Sequence, residues 1–345
     1  VPRSRTPRQS DIALLAGVSQ ATVSMVLNGR ADSNRIPEST QQRIRESMAE
    51  LGYVPNIAAQ SLRGGRNGLI GVHTFERVFP VSPDDYYHEF LNGIEEQAVA
   101  EGLDLVLFAS TQRPDGTRTI YGNGSNRLRL ADGAIMLGFE TNDDELTRLV
   151  DEGFPFVFIG HRDVPGIEIP AVTAAYAEAM RPVAQLLADA GHRMICYLAT
   201  PVRGIAQTER LQGFRRFADE LGLDAVEVRE REVGQMTEEF LAELLAGGVT
   251  AVVVETHDLA GGLNRVLRQT GVPVPERLSV ISLDSDPRGD EVFSTVQVPR
   301  REMGRRAVRL LLSVIDDALD PALLAPIACD PPGAETVAAP VGIPA

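Results

Sequence analysis

The chain has 345 residues, 48 acidic side chains against 33 basic ones, and a formal net charge of −15. Its length exceeds one small domain and suits a headpiece with a two-lobed body, while the overall acidity, taken alone, argues against a nucleic-acid partner. Every basic residue is arginine, and tryptophan and lysine are absent.

Near the N-terminus, Ser10–Asn28 reads as two short helices around a tight turn. Ile12, Ala13, Leu15 and Ala16 share one face of the first helix, which Gly17 ends because glycine takes a left-handed conformation without a Cβ clash. Ser19 is placed to cap the second helix by accepting one of its orphan N–H groups. In that helix Val23, Val26 and Leu27 are expected to pack inward, while Gln20, Ala21, Ser24 and Met25 point outward. The pattern is that of a helix-turn-helix, whose second helix reads base edges in the major groove. An ordinary helical hairpin would satisfy the same residues.

After a loop, Arg30–Arg35, that looks long, a third helix is expected from Pro37 to Leu51. Ile44, Met48 and Leu51 line its inner face and Gly52 ends it. Residues 53–66 hold a helix-competent octet that starts at Pro55 and ends at Gly64-Gly65. Eight residues do not sustain a helix alone in water, so this octet is expected to order on a partner.

The segments AGVSQATVSMVLNG and AELGYVPNIAAQSLRGGRNGLIGV, in that order, resemble the lactose-repressor (LacI/GalR) family of bacterial transcription regulators. The resemblance implies an operator-reading helix with Ser19, Gln20, Ala21, Thr22, Ser24, Met25 and Asn28 at the DNA. It also implies a hinge helix with Tyr53, Asn56, Ala58, Ala59 and Leu62, in which Leu62 wedges into a central minor-groove step. Such a wedge unstacks one base step at a cost of a few kcal/mol, offset by the contacts of a bent duplex. Met25 stands where the family often has arginine or another polar reader. Methionine offers an apolar surface, for instance to a thymine methyl, in place of a bidentate contact to guanine. Gln20 can pair with adenine and Ala21 can meet a methyl group.

Charge is polarised along the chain. Residues 1–66 carry nine arginines against five acids, a net +4, which leaves −19 on the remainder. A basic headpiece neutralises phosphates while an acidic body is repelled by them. Arg3, Arg5 and Arg8 form a candidate phosphate-touching arm, although a charged terminus is commonly only solvated.

From residue 67 onward, short apolar runs alternate with helical segments. Strands are expected at Leu69–Val72, Leu103–Ala109, Ala134–Leu137 and Phe156–Ile159, with helices at Tyr87–Glu101 and Asp143–Glu152. A second series starts at Val172 and continues through helix Glu178–Ala190, strand Ile195–Ala199, helix Glu209–Leu221, strand Ala225–Arg229, helix Thr237–Ala246, strand Ala251–Val254, helix Leu259–Thr270 and strand Ser279–Leu283. Buried strands alternating with helices imply parallel sheets covered on both faces. The expected fold is therefore an all-α helix-turn-helix headpiece plus an α/β two-lobed, periplasmic-binding-protein-like body of two doubly wound sheets. The expected boundaries are a headpiece at 1–53, a hinge at 54–66 and a body at 67–345. Within the body, one lobe takes about 67–161 and 293–320, the other about 162–292 and 321–340.

Ligands of such sheets sit beyond the C-terminal strand ends, so the cleft between lobes is the default effector site. Family-like anchors are Gly191-His192-Arg193, Glu209–Phe214 and Leu278–Asp284. The resemblance implies that Arg210 clamps effector oxygens and that Asp284 accepts ligand hydroxyls. The alternatives are a surface salt bridge and a loop cap. His73, Thr74, Phe139, Arg162 and His257 each follow a predicted strand; of these His73, Phe139, Arg162 and His257 join Arg210 and Asp284 as the candidate effector set. Glu255-Thr256-His257-Asp258 lacks the family's common Asn-Asp. The segment Val172–Tyr176 lacks an acid that usually follows this strand, and Val298 replaces a common polar residue. A standard sugar constellation is therefore not expected.

Phosphate loops, nucleophile elbows and zinc-helix motifs are missing, and Gly122–Ser125 reads as a flexible insertion, so no enzyme, cofactor or metal is expected. Cys196 and Cys329 have no metal-ligand spacing and suit a reducing compartment. No apolar stretch approaches the roughly 20 residues of a membrane span, and the N-terminus lacks a secretion-signal core, which points to a soluble cytoplasmic protein. The proline- and alanine-rich tail Pro331–Ala345 has no heptads, so a dimer is expected rather than a coiled-coil tetramer. The resulting expectation is a homodimeric repressor that binds a palindromic operator and is controlled by a small, sugar-like metabolite. Whether that molecule induces or corepresses is not encoded in these patterns. A solute-binding protein and an enzyme fused to a DNA-binding headpiece are the other classes considered.

Overall fold

The computed structural model describes residues 7–27, 35–53, 66–75, 86–108, 118–122, 124–138, 141–223, 225–286, 289–290, 292 and 293–340. The chain divides into two compact units, Val1–Gly68 and Leu69–Ala345.

In the first unit, α1 (Gln9–Ala16), α2 (Gln20–Leu27) and α3 (Glu38–Leu51) enclose a small core. Ile12, Ala13, Ala16, Val23 and Ile44 are buried, with Val26, Leu27, Met48 and Leu51 packed on them. Gly17 adopts φ 65°, and Val18 N–H closes on Ala13 O at 3.0 Å, the left-handed helix end expected from sequence. Ser19 Oγ accepts Thr22 N–H at 3.1 Å. α1 and α2 meet at 108°, within the range of a helix-turn-helix. One expectation is corrected: Leu15 is exposed, like Leu14, and does not join the core. On an eight-residue helix only about two turns face the neighbours, and Ile12, Ala13 and Ala16 fill that stripe.

The second unit contains two five-stranded parallel sheets. The first has the order β2-β1-β3-β4-β5, with β1 Leu69–His73, β2 Asp104–Leu107, β3 Gly133–Met136, β4 Phe156–Ile159 and β5 Ala171–Val172. α4 (His88–Ala100) and α5 (Asp143–Asp151) are its crossover helices. The second sheet has the order β10-β9-β8-β6-β7, with β6 Met194–Ala199, β7 Ala225–Glu230, β8 Ala251–Val254, β9 Ser279–Ser282 and β10 Ser294–Thr295. α6 (Met180–Asp189), α7 (Ile205–Glu220), α8 (Glu238–Ala246) and α9 (His257–Thr270) cover it. Each sheet reverses strand order next to its first strand, which creates a crevice at the strand C-termini.

The lobe boundaries differ from those expected. β5 pairs with β4, Ile159 opposite Val172, so the first sheet continues to Val172 and the crossing falls after it. β10 pairs with β9, so residues 294–295 belong to the second sheet. Only then does α10 (Arg300–Ile315), a helix the sequence reading does not define, return to the first lobe and pack on α4. The sequence places a strand at Val172 but not its sheet, and β10 has no local signature: two-residue strands exist because their neighbours offer a ladder. At the expected insertion, Gly124 N–H donates to Tyr121 O at 2.7 Å, near buried Ile120 and Leu128.

The crossings are tied together by backbone. Ile327 N–H donates to Thr173 O at 2.9 Å and Ala175 N–H to Ile327 O at 2.8 Å, while Gln297 and Asp330 exchange bonds of 3.1 and 3.0 Å. Cys329, half-buried, touches the cores of both lobes.

Candidate functional site

On the headpiece, the outward side of α2 carries Gln20 and Ala21 exposed, with Thr22, Ser24 and Met25 half-buried and Val23 in the core. Helical periodicity produces this split, since Val23 turns toward the three-helix core and the side opposite it turns away. The Ser19 hydroxyl is engaged with the Thr22 amide and lies 2.8 Å from the Thr22 hydroxyl, so its first role is to cap α2. Tyr53 packs on the headpiece core, and its N–H donates to Met48 O at 2.9 Å. Asn28, Asn56, Ala58, Ala59 and Leu62 lie outside the described residues, as does the hinge octet.

In the body, a cleft of about 300 Å³ opens at the strand C-termini. One wall is aromatic and apolar: Tyr86, Tyr87 and Phe90 from the start of α4, with Met303 of α10. Another comes from the ends of β3 and β4, Leu137–Gly138 and Ile159–Asp163. Gly160 turns the chain off β4 at φ 92°, a conformation that disfavours a side chain. The second lobe contributes Arg203–Gln207 and Glu209, around the N-terminus of α7. An aromatic wall facing polar side chains suits a ligand with one apolar face and a hydroxylated edge.

Arg162 lines this cleft. Its guanidinium donates to Gly138 O and to His161 O and stacks 4.3 Å over the Phe158 ring. Glu209 lines it too, and burial holds its carboxyl above the usual range.

Behind the cleft lies a buried charge cluster. Arg210, 4% exposed, lies 4.9 Å over the Tyr176 ring and donates to Glu255 O at 3.4 Å. Asp284, at the end of β9, pairs through Oδ1 with Arg300 at the start of α10, and His257 Nδ1 lies 3.4 Å from Oδ2. Arg300 also donates to Ser285 Oγ at 2.8 Å and sits 4.7 Å over the Tyr86 ring. Burial raises the Asp284 carboxyl, but Arg300, then His257 and Arg210, bring it below its ordinary value. The hydrogen bond to Asp284 raises the His257 imidazole.

The six candidate effector residues therefore scatter. Arg162 lines the cleft. His257 and Asp284 line a separate pocket of about 220 Å³ on the second lobe. Arg210 is buried behind the cleft, and Phe139 lies outside the described residues. His73 falls inside β1, fully buried against Phe75 at 5.0 Å, and is not among the residues lining the cleft; Thr74 is buried beside it. Each oxygen of Asp284 already has a protein partner, Arg300 at Oδ1 and His257 at Oδ2. Tyr86, Tyr87, Arg203, Gln207 and Glu209 are among the lining residues sequence reasoning missed. The Tyr86-Tyr87 doublet ahead of a predicted helix, and Glu209 beside Arg210, were the available signals.

Comparisons with known proteins agree with this architecture. A family model described as bacterial regulatory proteins, lacI family, matches residues 10–56, and one for a periplasmic binding protein-like domain matches residues 184–326. The HTH-type transcriptional regulator CelR of Thermobifida fusca is 30% identical over 324 residues, covering 91% of this chain and 93% of its own. Catabolite control protein A of Priestia megaterium is 28% identical over 87% of this chain and 90% of its own. Among solved structures, a transcriptional regulator CelR–cellobiose complex matches with a TM-score of 0.59 and 26% identity, covering 93% of this chain and 96% of that one. The lac repressor dimer bound to operator and the anti-inducer ONPF matches with a TM-score of 0.70 over 97% of this chain and 100% of that one; at 21% identity it speaks for the fold.

Proposed function

Because the chain belongs to the lacI family of bacterial regulatory proteins, a DNA-binding transcriptional regulator by descent, we propose that it is a repressor working as a homodimer on a palindromic operator. The observation that carries this reading is the 108° helix pair with its Gly17 turn and Ser19 cap, which leaves Gln20 and Ala21 at the start of α2 exposed for a major groove. Gln20, Ala21, Thr22, Ser24, Met25 and Asn28 read bases, and the hinge residues Tyr53, Asn56, Ala58, Ala59 and Leu62 order across the operator centre. Tyr53 does so from the headpiece core, as an anchor for the hinge.

The effector is a small hydroxylated molecule, sugar-like, seated between the Tyr86–Tyr87–Phe90 wall and the polar edge formed by Arg162, Gln207 and Glu209. The cellobiose of the CelR complex makes cello-oligosaccharides the first probes. Arg210, His257 and Asp284 act from behind the cleft, where the Asp284–Arg300 ion pair, flanked by His257, links the second lobe to α10. Effector binding shifts the lobes and is reciprocally coupled to operator affinity. No enzymatic step enters this function, and the protein works in the cytoplasm.

Selection of bound sequences from a random DNA pool, at fixed salt, tests the main claim. Enrichment of a palindrome is expected, and failure to enrich one would sink the reading. Leu62→Ala is expected to lose specific affinity and retain salt-dependent non-specific binding. A thermal-shift panel of sugars, polyols and nucleosides on the full chain identifies the effector through the mass-action rise in melting temperature.

A further inference from the structure

Glu255 follows β8 and is fully buried, which for a lone carboxylate would be strongly unfavourable. Both oxygens are satisfied. Oε1 accepts from the Tyr197 hydroxyl at 3.1 Å and Arg203 Nη2 at 2.8 Å. Oε2 accepts from Thr200 N–H at 2.8 Å and Arg203 Nη1 at 3.3 Å, and lies 3.0 Å from the Thr200 hydroxyl. Arg203 thus meets Glu255 as a two-pronged fork, the geometry with the most directional control. The same Nη2 donates to Gln207 O at 2.7 Å, in the first turn of α7, and the Glu255 carbonyl accepts from Arg210.

Every one of these donors lies on β6, on the loop that follows it or on α7, and that loop and the start of α7 form the second-lobe wall of the cleft. Apolar burial does little for the tip of the loop, since Pro201 and Val202 are exposed, Val202 at 87%, and it is otherwise tied by short-range bonds such as the Thr200 hydroxyl to Val202 O at 2.9 Å and Thr208 N–H to Gly204 O at 3.1 Å. We propose that Glu255 is a positioning residue that clamps residues 200–207, so that this wall is preformed before an effector enters. With Arg203 committed to the clamp, the wall presents acceptors instead: the Glu209 carboxylate and Gln207 Oε1, which is buried without a hydrogen-bond partner among the described residues. The wall therefore favours a ligand that brings hydroxyl donors. That consequence rests on the cleft being the effector site; the clamp does not.

Hydrogen–deuterium exchange on the full chain without ligand tests the clamp independently of any effector. In Glu255→Gln the Thr200 amide and the peptide covering 200–207 are expected to exchange at least ten-fold faster, with β8, β9 and α6 unchanged. Unchanged exchange at 200–207 would overturn the proposal, and so would equal acceleration across the whole second sheet, the signature of a general packing role. Adding Glu255→Gln to Arg203→Gln is expected to change the loop little further, whereas full additivity would contradict a shared clamp. Should Glu255→Gln fail to fold, Thr200→Val, which removes only one hydroxyl, is expected to give a smaller acceleration confined to the same peptide, and its absence counts against the clamp.

Discussion

His73 is buried with neither ring nitrogen bonded among the described residues, and burial, aided by Arg118, pushes its pKa from 6.5 down to about 4. The unfolded chain then binds a proton that the folded one refuses, so stability falls as pH drops from 6.5 toward about 4. At 1.36 kcal/mol per unit the loss is about 3 kcal/mol. His257 runs the other way: its hydrogen bond to Asp284 raises its pKa, so its contribution is complete below the ordinary histidine value and disappears as pH rises through the raised one. Urea midpoints across pH should show His73→Phe flattening the acid loss and His257→Gln flattening the loss on the alkaline side. Arg300→Met strands the buried Asp284 carboxylate and is expected to cost about 3–5 kcal/mol, whereas Arg300→Met with Asp284→Leu recovers most of it. Part of this was legible from sequence. Arg210, Asp284 and His257 stood out as chemistry-bearing residues at strand or helix ends, but Arg300, which takes the carboxylate, arrives from the other lobe with no local mark.

Helices α1 and α2 depend on their termini more than on their length, since eight residues form few internal bonds. Ser19→Ala removes the α2 cap and is expected to destabilise the headpiece by about 1 kcal/mol, read from its thermal unfolding. The α4–α10 pair depends on close approach instead. A Cβ on Gly93 would overlap the Arg301 carbonyl, and one on Gly304 the Phe90 carbonyl. Gly304→Ala is therefore expected to force the helices apart at a cost of about 1–3 kcal/mol, measured by denaturant midpoint. The headpiece elements were readable because glycine ends, caps and apolar spacing are local signals. α10 has an equally periodic buried stripe, Met303, Ala307, Leu310 and Leu311, yet its sheet partner is fixed only by packing across the hinge. The strand at Val172 was legible but not the sheet it joins, and β10 leaves no trace in two residues of sequence.

Charge is the property of the whole chain that most bears on its DNA reading. With +4 on residues 1–66 and −19 beyond, DNA binding is expected to weaken steeply between 50 and 200 mM salt, and a chain lacking residues 1–66 should lose it entirely in a filter or anisotropy assay. Retention of salt-dependent binding by the truncated chain would place the phosphate contacts elsewhere. The sequence by itself determined the headpiece, the alternation of strands and helices, the two-lobed class and the family, because each of these rests on spacing between near neighbours. It also singled out Arg162 at the cleft. Only the tertiary structure decided where the first sheet ends, that α10 packs on α4, that Asp284 is already held by Arg300 and His257, and that Tyr86, Gln207 and Glu209 share one cleft with a wall held by Glu255. Those facts depend on which distant residues meet when two lobes pack on a common hinge, and burial and pairing over such separations are written in no single stretch of chain.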